Sequence, residues 1–232
     1  MKNKLKGVIF FNKKIKDNDL FIKVLLSNDQ INSGIVYGGN SSKKETNYQN
    51  GFFLDFIITR KNENLPLIFM GDISTPYIGT IYEDKYKMNA LLSILSLINL
   101  SIIEGQKING FFKDVENLVN NIVNKNHWIF FYCEWLFILL QKIGYEIDYK
   151  KNINKQYFNL IKQDFIEEYI PQSIEFPHNL FSQNFEVNFE NINAIFAIFE
   201  SIFLKNHLEN NHSNMPINFK NFKKIILQRL KF

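Results

Sequence analysis

The chain has 232 residues, 46% hydrophobic and 16% aromatic, with a formal net charge of +4 and a pI of about 8.9. Its one cysteine, Cys133, excludes an internal disulfide framework and a Cys-rich zinc site. The most apolar stretches, Met88–Ile103 and Ile129–Leu140, fall short of the ~20 residues needed to span a bilayer, and Gly7–Phe11 is too short for a signal-peptide core. A cytoplasmic protein without a membrane partner is expected.

In chain order, short β segments come first. Lys6–Phe11, Leu20–Ser27, Ile31–Tyr37, Gly51–Arg60 and Leu67–Pro76 read as strands. The turns between them are supplied by Asp17-Asn18-Asp19, Ser27-Asn28-Asp29, Gly38-Gly39-Asn40 and Lys61-Asn62-Glu63-Asn64. Five short strands in about 80 residues fit a small barrel of the OB-fold kind. After Pro76 the apolar period lengthens to that of helices. Tyr86–Ile103, Phe111–Val123, Trp128–Ile143, Asn188–Leu208 and Asn218–Leu230 are predicted helices, with Gly144 as a C-terminal cap. Residues 145–187 lack a clean period; a short helix is expected near Tyr157–Glu168, with loops around it. The predicted class is therefore α+β: an OB-fold-like nucleic-acid-binding domain over residues 1–80, then a helical domain over 81–232.

Nothing in the pattern points to catalysis. No HExxH, Walker phosphate loop or GxGxxG occurs, and Gly38–Lys44 lacks phosphate-loop spacing. His207 and His212 are five apart, off the i, i+4 face of a helical metal pair, while His127 and His178 stand alone. Cys133 lies in an apolar helical pattern, as an inert buried thiol would. Glu104, Glu167 and Glu168 have no carboxylate partner placed for acid–base work. No catalytic residue, metal or cofactor is expected.

Charge is unevenly distributed. Of the 27 Lys/Arg and 23 Asp/Glu, residues 1–61 hold 11 and 5, leaving 16 and 18 for the rest, so a local +6 stands against −2. Lys13, Lys14 and Lys16 lie in the first turn, Lys23 on the second strand, Lys43 and Lys44 after the Gly-Gly turn, and Arg60 and Lys61 at the end of the fourth strand. Cations converging from barrel loops would contact phosphates, with affinity that falls as salt rises. Phe10, Phe11, Tyr37 and Tyr48 are candidates to stack on unpaired bases, although adjacent strand residues face opposite ways, so Phe10 or Phe11 belongs to the core. The last helix sets Lys220, Lys223, Lys224, Arg229 and Lys231 against an apolar side of Phe219, Phe222, Ile226 and Leu230. That reads either as core packing with a solvated basic face or as a second basic patch able to take an acidic peptide.

The order of these pieces resembles the DNA repair protein RecO family. The resemblance is carried by Gly7-Val8-Ile9-Phe10, by Asp17 through Leu25, and by Gly34-Ile35-Val36-Tyr37-Gly38-Gly39. It continues in Glu134-Trp135-Leu136 through Gly144-Tyr145, in Phe203 through Leu208, and in Met215-Pro216 with the basic stretch after it. It implies a non-enzymatic recombination mediator of the bacterial cytoplasm and nucleoid that binds single- and double-stranded DNA and anneals complementary strands. It further implies contact with RecR and with the acidic C-terminal tail of the single-stranded-DNA-binding protein SSB, and a functional link to RecF and RecA. Lys205, Lys220, Lys223 and Lys224 are the candidates for the SSB tail. Two departures stand out. Many members carry a four-cysteine zinc insert in the helical domain, whereas residues 148–175 hold no Cys, and many have Arg directly after the Gly-Gly pair, where this chain has Asn40-Ser41-Ser42 before Lys43-Lys44. The competing reading is a protein–protein adaptor that does not bind DNA and presents a helical docking surface.

Overall fold

In the computed structural model, residues 4–16, 18–181, 185–209 and 213–231 are described. Asp17 of the first predicted turn and His212 lie outside them. The chain divides into two compact units, residues 1–123 and 124–232.

The first unit is built on a closed barrel, as the strand count predicts. Its strands are β1 (Leu5–Lys14), β2 (Leu20–Leu26), β3 (Ile31–Val36), β4 (Phe53–Thr59) and β5 (Leu67–Thr75), in the order β1-β2-β3-β5-β4. All pairs are antiparallel except β3 with β5. Alternate residues fill the interior: Ile22, Val24 and Leu26 from β2, Leu54 and Phe56 from β4, with Ile9, Val36 and Phe69. The β3–β5 contact requires Gly34, since a Cβ there would stand 2.3 Å from the Leu67 carbonyl oxygen. At the inner end of β2 the alternation gives way to continuous burial, because Val24, Leu25 and Leu26 are all covered. Strands buried on both faces read this way. Val8 and Leu25 face each other across β1 and β2, fully buried yet outside the barrel interior, and helix α2 (Lys85–Ser101) packs on this side.

Two aspartates tie the helices of this unit in place. Asp84 caps α2, accepting from the N–H groups of Tyr86 and Lys87 at 3.0 and 3.1 Å. Asp29, in the β2–β3 turn with φ of 66°, accepts from Gly110 and Phe112 N–H at 2.8 and 3.0 Å. It thereby caps α3 (Phe111–Asn124) from more than 80 residues away in sequence. A short helix, α1 (Tyr77–Ile81), joins β5 to α2.

The second unit has helices α4 (Trp128–Lys142), α5 (Phe189–Ile202) and α6 (Ile217–Arg229), with α5 continuing as a wider π-helical turn over Phe203–Leu208. Its core is aromatic: Phe222 lies 4.5 Å from Tyr132 and about 6 Å from Trp128 and Phe196, ring centre to ring centre. The helix expected near Tyr157–Glu168 is not formed. That segment is a hairpin, β6 (Tyr157–Asn159) and β7 (Asp164–Ile166), which β8 (Ser173–Glu175) joins in the order β7-β6-β8. Asn159 Oδ1 accepts from both Ile161 and Lys162 N–H at 2.9 Å, and Gln163 adopts φ of 59°. An Asx turn followed by a left-handed residue reverses the chain where a helix would have continued.

Candidate nucleic-acid interface

Strand direction sorts the predicted cations. β1, β3 and β5 run one way and β2 and β4 the other. One end of the barrel therefore carries the β1–β2 turn (residues 15–19) and the β3–β4 connection (37–52), and the opposite end carries the β4–β5 loop (60–66). The turn and the connection are bonded together: Gly38 N–H donates to Asp19 Oδ1 and Asn40 N–H to the Asn18 carbonyl, both at 2.7 Å. Gly38 has φ of 64°, a conformation open to glycine at little cost. Lys13, Lys14, Lys16, Lys43 and Lys44 thus share one rim. All five are exposed, and their ammonium groups form no ion pair or hydrogen bond with the described residues. Arg60 and Lys61 are exposed at the other end. Lys23 points to neither end. Its ammonium lies 3.4 Å from Asn99 Oδ1 of α2 and 5.5 Å from the centre of the Phe11 ring, on the half-buried outer side of β2.

The four aromatic candidates also separate. Phe10 is buried, Phe11 is half-buried edge-on to Phe21, and Tyr48 is in the core with its hydroxyl donating to the Gly71 carbonyl and accepting from the Gly71 N–H. Only Tyr37 stands out, 53% exposed. It borders a groove of about 460 Å³ along β4 and β5 that Lys4, Lys44, Asp55 and Asp72 also line. Lys4 was not singled out by the loop pattern, because it precedes the first strand and joins the others only when β1 closes the barrel against β4. Carboxylates at that groove would repel a phosphate.

The remaining lysine candidates lie in the second unit. Lys205, on the π-helical turn, donates to the Ile161 carbonyl at 3.0 Å, and Lys223 of α6 is paired with Glu200 of α5. Lys220 and Lys224 are exposed on α6.

The residues tested for catalysis have structural surroundings. Cys133 is fully buried, and burial pushes its thiol far above the ordinary range, away from thiolate. Glu104 accepts from the Ser33 N–H and hydroxyl and holds the chain after α2 against β3. His178 Nε2–H donates to the Lys155 carbonyl, 2.8 Å away, and the ring stacks on Phe165 and lies tilted against Phe176. Among the described residues no group of three or more His, Cys, Asp or Glu is placed to hold a metal. Phe158, Phe165 and Phe176 pack together as the core of the small sheet.

The chain is 32% identical over 145 residues to the DNA repair protein RecO of Rickettsia akari, a match covering 62% of this chain and 60% of that protein. It is 30% identical to RecO of Rickettsia bellii over 145 residues and 31% identical to RecO of Rickettsia canadensis over 149, each match covering 62% of this chain and 59% of the relative. The matched stretch is RecO-like. The match thus spans about three-fifths of these relatives' own length, and no family model matches the chain. The five-stranded barrel followed by helices agrees with the architecture that the RecO resemblance implies. Among the described residues no helix is long and apolar enough to cross a membrane.

Proposed function

We propose that this chain acts in DNA repair as a recombination mediator of the RecO kind. The observation that carries the reading is the rim of five exposed lysines, Lys13, Lys14, Lys16, Lys43 and Lys44, whose ammonium groups have no partner among the described residues, beside the exposed ring of Tyr37. Cations held on a rigid barrel neutralise phosphate and release counterions, which suits single- and double-stranded DNA alike. Arg60 and Lys61 extend that contact at the opposite end, and Lys23 adds positive potential from beneath α2. Neutralising two backbones lets complementary strands approach, and a stacking platform keeps bases exposed for pairing. In this role no bond is made or broken, so the protein is not an enzyme. It works with RecR, takes the acidic tail of SSB on Lys220, Lys223, Lys224 and Lys205, and helps RecA replace SSB in the pathway that also uses RecF, in the bacterial cytoplasm at the nucleoid.

Fluorescence anisotropy with labelled single-stranded DNA across a salt series tests the reading, followed by strand annealing with and without SSB. Affinity is expected to fall steeply with salt. The pair Lys43→Ala/Lys44→Ala should flatten the slope of log K against log salt by about 1.4, from ~0.7 per single-strand phosphate contact. An unchanged slope removes these two residues from the interface. Absence of any salt-dependent binding leaves the adaptor with a helical docking surface.

A further inference from the structure

The C-terminal unit contains a groove of about 540 Å³ between β8 and the first turns of α5. Its apolar walls are Ile174, Phe176, Pro177, Phe189 and Ala194. Its polar groups are carboxylates and amides: Glu175, Glu190, Gln156, Asn179, Asn191 and Asn193, with His178. The surrounding sequence has one sign of charge. Residues 163–204 contain seven Asp/Glu and neither Lys nor Arg. Among the described residues the Glu190 carboxylate forms no hydrogen bond or ion pair, and the Glu175 carboxylate accepts only from Gln156 Nε2, at 3.2 Å.

The strand beside the groove is open. In the order β7-β6-β8, β8 is an edge. The Phe176 N–H bonds to the Gln156 carbonyl, which makes Tyr157 and Glu175 a non-hydrogen-bonded pair. The main-chain N–H and C=O of Glu175 therefore face away from β6, toward the open side. At the margin, the Phe189 ring already holds a cation: the Lys231 ammonium sits 5.0 Å from its centre. The positive end of α5 opposes cations here, but Asn188 Oδ1 occupies the Asn191 N–H and Glu190 lies in the same turn, which offsets it.

We infer that this groove docks an extended cationic segment of a partner protein. The segment's main chain bonds to the free edge at Glu175, its Lys or Arg side chains meet Glu175 and Glu190, and its intervening apolar side chains enter between Phe176 and Phe189. This is β-strand addition with specificity from charge. It is independent of the lysine rim and does not rest on DNA binding.

The test is fluorescence anisotropy with the full chain and a labelled ten-residue peptide of alternating Lys and Val, with an alternating Glu and Val peptide beside it. Binding of the Lys peptide alone is expected. Glu175→Gln/Glu190→Gln should weaken it at least fivefold. Asn193→Trp, which fills the groove without changing charge, should weaken it as much, while Lys43→Ala/Lys44→Ala should leave it unchanged. Circular dichroism and Tm confirm that each variant is folded. No binding, preference for the Glu peptide, or loss on charge removal but not on groove filling would each overturn the proposal. A dimer in sedimentation that Glu175→Gln/Glu190→Gln dissociates would assign the groove to a second copy of the chain and overturn it as well.

Discussion

The two units use their lysines differently. In the barrel unit the ammonium groups of the rim lysines Lys13, Lys14, Lys16, Lys43 and Lys44 have no partner among the described residues. In the C-terminal unit Lys205 and Lys223, two of the four candidates there, are bonded to Ile161 and Glu200. Their cores differ as well: mostly aliphatic strand residues with two phenylalanines and Tyr48 inside the barrel, against tilted and edge-on Phe, Tyr and Trp rings between α4, α5 and α6. A basic composition is thus a weak guide to where an external anion can bind. What counts is which cations the fold leaves unsatisfied, and here the barrel rim leaves most.

The largest expected effect tests the contrast between cores. Phe222→Ala removes a fully buried ring that touches Trp128, Tyr132 and Phe196, and should cost about 3–5 kcal/mol of stability in urea unfolding followed by fluorescence. A cost below about 1 kcal/mol would show that the aromatic cluster repacks freely. Next, Tyr37→Ala should weaken single-strand binding by about 1–3 kcal/mol while leaving the salt slope alone, because stacking releases no counterions. A flattened slope with intact affinity at low salt would instead make Tyr37 a bystander to the lysines. Asp29→Ala removes the remote cap of α3 and should lower stability by about 1–2 kcal/mol, whereas Asp29→Asn, which keeps an acceptor oxygen and tolerates the positive φ, should lose much less.

The smallest effect concerns pH. Burial opposes ionisation of Glu116, but the ammonium groups of Lys6 and Lys113 outweigh it and hold the carboxyl below its ordinary value of 4.5. The folded state therefore binds this proton less readily than the unfolded chain. The stabilisation is present above about pH 4.5 and is lost as pH falls through the folded value. Lys6 and Lys113 are partly in solvent, so after screening the contribution is about 0.5–1 kcal/mol. Glu116→Gln should remove that part of the acid limb in a Tm series from pH 6 to 3, and an unaltered series would show that the pair stabilises nothing measurable.

Much of the barrel was legible in the sequence. Leu20–Leu26 and Phe53–Thr59 carry apolar residues at period two, and their neighbours supply turn chemistry, so each strand lies within a few residues of its expected position. The small sheet was not legible. Strands of three residues hold too few positions to show a period, and the decisive signals are the Asn159 side-chain bonds and the positive φ of Gln163. The candidate interface was legible as a list of cations but not as a surface. Tyr37 and Tyr48 lie in the same connection and look alike in sequence, yet one is exposed and the other bonded to Gly71 inside the barrel.

By itself the sequence determined the change from strand to helical period after Pro76, the basic excess of the first 61 residues, and the absence of any Cys ligand set. These are local or compositional properties, set by residues near one another in the chain. Only the tertiary structure decided that Arg60 and Lys61 stand opposite the lysine rim, that Lys23 lies beneath α2, and that Tyr37 alone of the four aromatics is exposed. Each follows from pairings between distant segments, above all β3 against β5 at Gly34 and β1 against β4. Strand direction and barrel closure, unlike period or charge, are not written in any one stretch of sequence.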